Sequence, residues 1–122
     1  MVGIVLVTHC RVADEMLKVA EVIVGAIPNC IAVSIDPQEG IDEIGKKLEN
    51  AISAADQGKG VLVLTDLFGG TPSNVSLSFL QDKKVEVLSG VNLPALLKIS
   101  TSRQDKNLGE VARMAKAAVL IR

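Results

Sequence analysis

The chain has 122 residues, carries 13 Lys and Arg against 14 Asp and Glu, and is 48% apolar, with two phenylalanines as its only aromatic residues. This length suits a single domain, 1–122, that buries its own core without metal or disulfide support. A net charge of −1 with scattered basic residues excludes the footprint of a nucleic-acid binder, and the shortage of aromatics leaves no platform for stacking bases or sugar rings.

Gly3-Ile4-Val5-Leu6-Val7-Thr8 is short, apolar and β-branched, as in a strand buried on both faces, and it ends in the polar Thr8-His9-Cys10. Ala13, Leu17, Ala20 and Ile23 or Val24 then share one face of a helix with Asp14 and Glu15 in its first turn, closed by Gly25 and Pro28. Ile31 to Ile35 predicts a second strand. The turn Asp36-Pro37-Gln38-Glu39-Gly40 introduces a second helix with the stripe Ile41, Ile44, Leu48, Ile52 and Ala55. Gln57-Gly58-Lys59-Gly60 returns the chain to a strand that ends at Thr65.

The run Thr65-Asp66-Leu67-Phe68-Gly69-Gly70-Thr71-Pro72-Ser73-Asn74 reads as a strand end, a glycine turn and a helix start. Two glycines permit positive φ and close approach of a ligand to the backbone. Thr71 is a natural N-cap and Pro72 suits the first helical position, so Val75, Leu77, Phe79 and Leu80 are expected on a short helix. Val85 to Leu88 gives a fourth strand, and Ser89-Gly90-Val91-Asn92-Leu93-Pro94 leads into a helix through about Ile99. After a polar loop from Thr101 to Lys106, Asn107-Leu108-Gly109-Glu110 forms a capping box for a last helix through about Lys116. Within the apolar tail Ala117 to Ile121, Ala118-Val119-Leu120-Ile121 reads as a fifth strand, which pairs within its own subunit or with a second one.

Alternating strands and helices predict a three-layer α/β/α domain with right-handed crossovers and a four-stranded parallel sheet. In such sheets ligands bind beyond the carboxyl ends of the strands, where strand order reverses. His9 and Asp66 both follow strands and are expected to face each other there. A carboxylate bonded to one imidazole nitrogen fixes the tautomer so that the other presents its lone pair as a nucleophile. The amides of Gly69, Gly70 and Thr71, with the hydroxyls of Thr71 or Ser73, make an anion nest that needs no metal. Imidazole, carboxylate and nest together point to phosphoryl transfer. Taken singly, a histidine at a strand end such as His9 is more often a turn residue than a catalyst, Asp66 reads equally as a turn cap, and Thr71 as an N-cap alone.

Other residues carry less. Phe68, large and apolar in a loop, docks a partner protein or plugs the space beneath the loop. Asn92 lines the pocket or simply belongs to a strand-to-helix turn. Cys10 and Cys30 match no CxxC spacing and make a poor zinc set with a lone histidine, so Cys10 is expected to be a small buried packing residue and both thiols to stay reduced. Met1 to Val7 lacks the basic start of a signal peptide, and no segment is long enough to span a bilayer. Cytoplasmic residence without membrane insertion, cofactor or metal is expected.

With these motifs the chain resembles the IIA component of the mannose family of the phosphoenolpyruvate-dependent sugar phosphotransferase system. The resemblance covers essentially the whole chain and rests on Thr8-His9, on Asp66-Leu67-Phe68-Gly69-Gly70-Thr71-Pro72-Ser73-Asn74 and on Gly90-Val91-Asn92-Leu93-Pro94, in order and spacing. It implies that His9 accepts a phosphoryl group from the phosphocarrier HPr and passes it to a IIB protein. It implies further that Asp66 bonds Nδ1 so that Nε2 is phosphorylated, and that Thr71 and the loop amides receive the phosphoryl oxygens. A C-terminal strand exchanged in a homodimer is also implied, with Ala117 to Arg122 as the matching segment. Cys10 departs from the glycine frequent at that place in such proteins, and no fused IIB domain follows, so the acceptor is expected in trans. Arg11 is the one obvious cation near His9, unlike the Lys and Mg²⁺ clamp of nucleotide enzymes, which argues against ATP as donor.

Two other functions fit the same residues. One is a regulatory phosphohistidine protein of the same fold that is not coupled to transport. The other is a small-anion binding module whose ligand stays bound when His9 is changed to Gln. The sugar is not readable, because sugar contacts belong to other subunits.

Overall fold

The computed structural model describes residues 1–67, 69–79 and 84–120. Strand β1 (Gly3–His9) is followed by α1 (Val12–Val24), β2 (Cys30–Ile35), α2 (Ile41–Ala55), β3 (Val61–Thr65), α3 (Thr71–Leu77), β4 (Val85–Ser89), α4 (Leu93–Ser102) and α5 (Leu108–Val119). The sheet order is β2-β1-β3-β4 and every pairing is parallel. From β1 the chain moves one way to β2, then crosses back to place β3 on the other side. The switch point therefore lies between the carboxyl ends of β1 and β3.

Side chains alternate across the sheet, and the two faces hold separate cores. Ile4, Leu6, Leu62 and Leu64 pack with Ala13 and Ala20 of α1, Leu96 and Ile99 of α4, and Val111 and Ala115 of α5. Val5, Val7, Val61 and Val63 pack on the other face with Ile44, Leu48, Ile52 and Ala55 of α2. This is the expected three-layer α/β/α domain with four parallel strands. Three apolar positions of the predicted stripes stay outside: Ile23, Val24 and Ile41 are 56%, 40% and 72% exposed.

The edge strand β2 is tied to its neighbours by side chains. The Ser34 hydroxyl donates to Asp14 Oδ2 at 2.6 Å, and the Lys47 ammonium donates to the Ser34 carbonyl at 2.7 Å and to both Glu39 oxygens at 3.0 and 3.1 Å. Glu39 also accepts from the Asp36 N–H at 2.7 Å. That N–H and the Lys47 ammonium hold the Glu39 carboxyl below its usual pKa.

Four helix ends differ from expectation, the first being the end of α3, which stops at Leu77 and leaves Phe79 in the turn beyond it. Helix α3 is capped by Gly70, not Thr71, which stands inside the first turn and makes no capping bond. Helix α4 runs on to Ser102, taking in Thr101, and its carbonyl at Ile99 accepts from the Arg103 N–H at 3.0 Å. The largest change is at the tail: residues 117–119, expected to open a strand, form the last turn of α5. Ala112, Ala115, Ala117 and Ala118 give this stretch the residue of highest helix propensity, and propensity outweighs the apolar pattern. Leu120 is extended and exposed, while Ile121 and Arg122 lie outside the described residues, as do Leu80 to Lys83.

The capping box of α5 is present as the sequence predicts. Asn107 Oδ1 accepts from the Glu110 N–H at 2.9 Å, and Glu110 Oε1 accepts from the Asn107 N–H at 3.1 Å. Replacing Asn107 with Ala is expected to lower stability by about 1 kcal/mol, read as a shift in the urea midpoint at unchanged slope.

Arg103 is a finding that periodicity did not show. It is 1% exposed, and its guanidinium donates to the Val2 carbonyl at 2.9 Å, to the Asn29 carbonyl at 3.3 Å and to the Pro28 carbonyl. It thereby ties the end of α4 to the start of β1 and to the turn before β2. Cys30 begins that strand, and burial pushes its thiol up to about 12, with the Arg103 charge pulling against burial.

Candidate active site

The two strands flanking the switch point end in the residues singled out from the sequence. His9 closes β1 and Asp66 follows β3 directly. One carboxylate oxygen, Asp66 Oδ2, accepts from the His9 backbone N–H at 3.0 Å and lies 2.8 Å from the ring Nδ1. The other, Oδ1, accepts from the Leu67 N–H at 3.1 Å. An ionised carboxylate can only accept, so Nδ1 is the donor of this bond, and in the neutral ring the lone pair is left to Nε2. Main chain and ring of His9 are thus held by the same atom, while the His9 side chain remains 44% exposed and that of Asp66 17%.

The opposite side of the ring is set by the glycine turn. Gly69 has φ +90° and open space around it, so its need is conformational. Gly70 has ordinary φ but no room: a Cβ there would stand 2.7 Å from His9 Cε1 and 3.2 Å from Nε2. The imidazole therefore lies between the Asp66 carboxylate and the bare backbone of Gly70. His9 and Thr71 line one cleft of about 240 Å³ together with Ile35, Asp36, Pro37, Glu39 and Ile44. At the start of α3 the first-turn amides have no acceptor within the helix, and Pro72 brings none.

Below the rim, hydroxyls do the fastening. Thr8 is fully buried; its Oγ1 accepts from the Ala13 N–H at 2.7 Å and donates to the His9 carbonyl at 3.2 Å, fixing the passage from β1 into α1. Thr65 Oγ1 donates to Ser89 Oγ at 2.9 Å, and Ser89 Oγ lies 3.2 Å from Ser73 Oγ.

Comparison with known proteins places this arrangement. Residues 3–116 match the EIIA-man family, described as PTS system fructose IIA component. The chain belongs to this family. It is 32% identical over 111 residues to the sorbose-specific EIIA component of Lacticaseibacillus casei, covering 88% of this chain and 78% of that one. It is 34% identical over 105 residues to the mannose-specific EIIAB component of Escherichia coli, covering 85% of this chain but 32% of that longer one. The crystal structure of an EIIA component from Streptococcus agalactiae superposes with a TM-score of 0.89 at 28% identity, over 100% of this chain and 97% of that one. The fold and the family of the resemblance are thereby established, and membership implies phosphoryl transfer in sugar uptake.

Against this EIIA frame several single residues change meaning. Cys10 is exposed, not buried in packing. Its φ is +49°, in the left-handed region, because the chain must reverse at once from β1 into α1; that conformation suits the glycine of the resemblance and turns the thiol outward. Ser73 has no exposed surface and its hydroxyl faces Ser89, so its contribution is to fasten the loop from beneath. Asn92 caps α4 by accepting from the Ala95 N–H at 3.0 Å, and its amide donates to the Val119 carbonyl at 3.1 Å; it is a joint between α4 and α5. The Arg11 guanidinium points to Asp14, 3.9 Å away, with 76% of the side chain exposed. Phe68 lies outside the described residues. Among the described residues no group of three or more His, Cys, Asp or Glu is placed to hold a metal, and no helix is long and apolar enough to cross a membrane.

Thr8 and Ser89 were not singled out from the sequence as site residues. A hydroxyl at the last buried position of a strand, one residue before a polar end, was the available signal in Thr8. Ser89 offered none until the register placed it beside Thr65.

Proposed function

We propose that His9 accepts a phosphoryl group on Nε2 from phospho-HPr and donates it to a IIB component during sugar uptake and phosphorylation. The observation that supports this reading is the double hold of Asp66 Oδ2 on His9: opposite an ionised carboxylate Nδ1 is the donor, and the neutral ring offers Nε2 as the nucleophile at a cleft shared with Thr71. In the accepting step the Nε2 lone pair forms the bond to phosphorus while the bond from phosphorus to the donor breaks, its electron pair leaving with the donor. The Nδ1 proton stays on the ring, and the positive charge that develops there is balanced by Asp66. The amides of Gly69, Gly70 and Thr71 and the Thr71 hydroxyl receive the phosphoryl oxygens.

The reverse step must be equally easy, and a nest of a few amides and one hydroxyl suits a labile phosphohistidine that has to be passed on. The proposal includes Phe68 as a contact for a protein partner, a homodimer in solution, and a cytoplasmic site of action. The test is transfer of labelled phosphate from phosphoenolpyruvate through the purified general phosphotransferase proteins to this chain. Acid-labile, base-stable label on the wild type and none on His9→Gln is expected. A folded wild type that takes no label would overturn the relay in favour of reversible anion binding, which persists in His9→Gln.

A further inference from the structure

The loop that holds His9 begins at Thr65 and ends in the first turn of α3 at Ser73, and both ends meet at one side chain. Ser89, paired with Thr65 across the sheet, accepts from Thr65 Oγ1 at 2.9 Å and lies 3.2 Å from Ser73 Oγ. Thr65 and Ser73 are fully buried. Next to this chain of hydroxyls, the Thr65 carbonyl accepts from two amides of the turn after β4, Gly90 and Val91, each at 2.9 Å. Asp66 is the next residue along.

We infer that Ser89 is a positioning residue: its hydroxyl sets the spacing between the loop's two arms, and so between the Asp66 carboxylate on one side of the imidazole and Gly70 on the other. A hydroxyl offers one donor and two lone pairs; Ser89 uses the acceptor toward Thr65 and shares a proton with Ser73. The spacing is tight because Gly70 leaves no space for even one more carbon beside His9 Cε1. Without the Ser89 hydroxyl two buried hydroxyls lose their common partner, and Thr65 keeps only a 3.5 Å approach to the Leu67 carbonyl. Buried polar groups do not stay unpaired, so the arms shift to find new partners, and the ring between them loses its fixed seat.

The consequence for phosphoryl transfer rests on the proposed role of His9; the consequence for the ring does not. The experiment therefore reads both, in wild type, Ser89→Ala and Ser89→Thr, which keeps the hydroxyl. ¹⁵N NMR of the unphosphorylated imidazole is expected to show a single Nδ1–H form in wild type and Ser89→Thr, and a mixture of both tautomers in Ser89→Ala at unchanged circular dichroism. The rate of label transfer from phospho-HPr is expected to fall roughly tenfold in Ser89→Ala, within the ~10²-fold that a misplacement of about 1 Å can cost, and to return in Ser89→Thr. A Ser89→Ala protein with wild-type ring signals would overturn the inference. Ring signals that follow Ser89 in a wild type that takes no label would uphold it and overturn the relay instead. Should Ser89→Ala fail to fold, Ser89→Cys, with its weaker donor of similar size, is read by the same criteria.

Discussion

Gly70→Ala is expected to slow phosphoryl acceptance by His9 about 10²-fold while leaving the fold intact. The added Cβ would sit 2.7 Å from Cε1 and 3.2 Å from Nε2, with Leu67 Cδ1 at 3.3 Å behind it. The ring cannot yield sideways, because Nδ1 is bonded to Asp66 at 2.8 Å and the His9 N–H to the same oxygen at 3.0 Å. It must rotate off the carboxylate or push the loop outward, and either move separates Nε2 from the amides that receive the phosphoryl group. Gly69→Ala is the control: its φ of +90° makes alanine strained, but among the described residues none beyond its chain neighbours comes within 4 Å of the new methyl. It should cost roughly 1–2 kcal/mol of stability and much less in rate. Initial rates of label transfer for the two variants, at matched folded fractions, separate a steric role from a conformational one; equal rates for Gly70→Ala and wild type would remove the steric role.

Arg103→Met is expected to lower stability by about 1–3 kcal/mol, because the buried Val2 carbonyl loses its donor at the full ~1–3 kcal/mol and the partly exposed Pro28 carbonyl at much less, while the side-chain volume is nearly kept. The carbonyls are those of Val2 and Pro28; the Asn29 carbonyl retains the Ile4 N–H at 3.0 Å. Removing a buried charge returns part of this loss, which sets the lower bound. Arg103→Ala adds a cavity and should be worse than Met. Urea unfolding of the three proteins gives the order, and a Met variant within about 0.5 kcal/mol of wild type would show that the guanidinium contributes packing alone. Transfer to His9 should be unchanged in Met at temperatures where it is folded, since Arg103 works at the amino ends of the strands and His9 at the carboxyl ends.

The contrast between these residues shows what sequence can and cannot say. Strands β1 and β3 are continuous β-branched or leucine runs, a local property, so their ends at His9 and Asp66 were legible, and the rule for parallel sheets brought the two together. The glycine turn was legible for the same reason, but the division of labour within it was not: Gly69 and Gly70 look alike in sequence, and only the position of the imidazole assigns one to conformation and the other to space. Residues such as Arg103 and Ser89 depend on contacts far along the chain, and no spacing announces them; Asn92 is mixed, its cap of α4 being local and its bond to the Val119 carbonyl not. The tail misled because Ala117 to Leu120 is apolar without periodicity over too few residues for period to discriminate, and alanine's helix preference decided. Cys10 misled because burial was inferred from residue type, whereas the reversal after β1 dictates a left-handed φ of +49° and an outward side chain.

The ammonium of Lys47 lies on the Ser34 carbonyl of an edge strand. A parallel sheet has two open borders, and chains that accept a neighbour at both of them polymerise. Here one border carries a cation already seated on a strand acceptor and anchored to Glu39, so an incoming backbone would have to displace a charge to start pairing. Pairing at this border then costs an ion's contacts as well as a strand acceptor, and the charge works as a guard against edge-to-edge association.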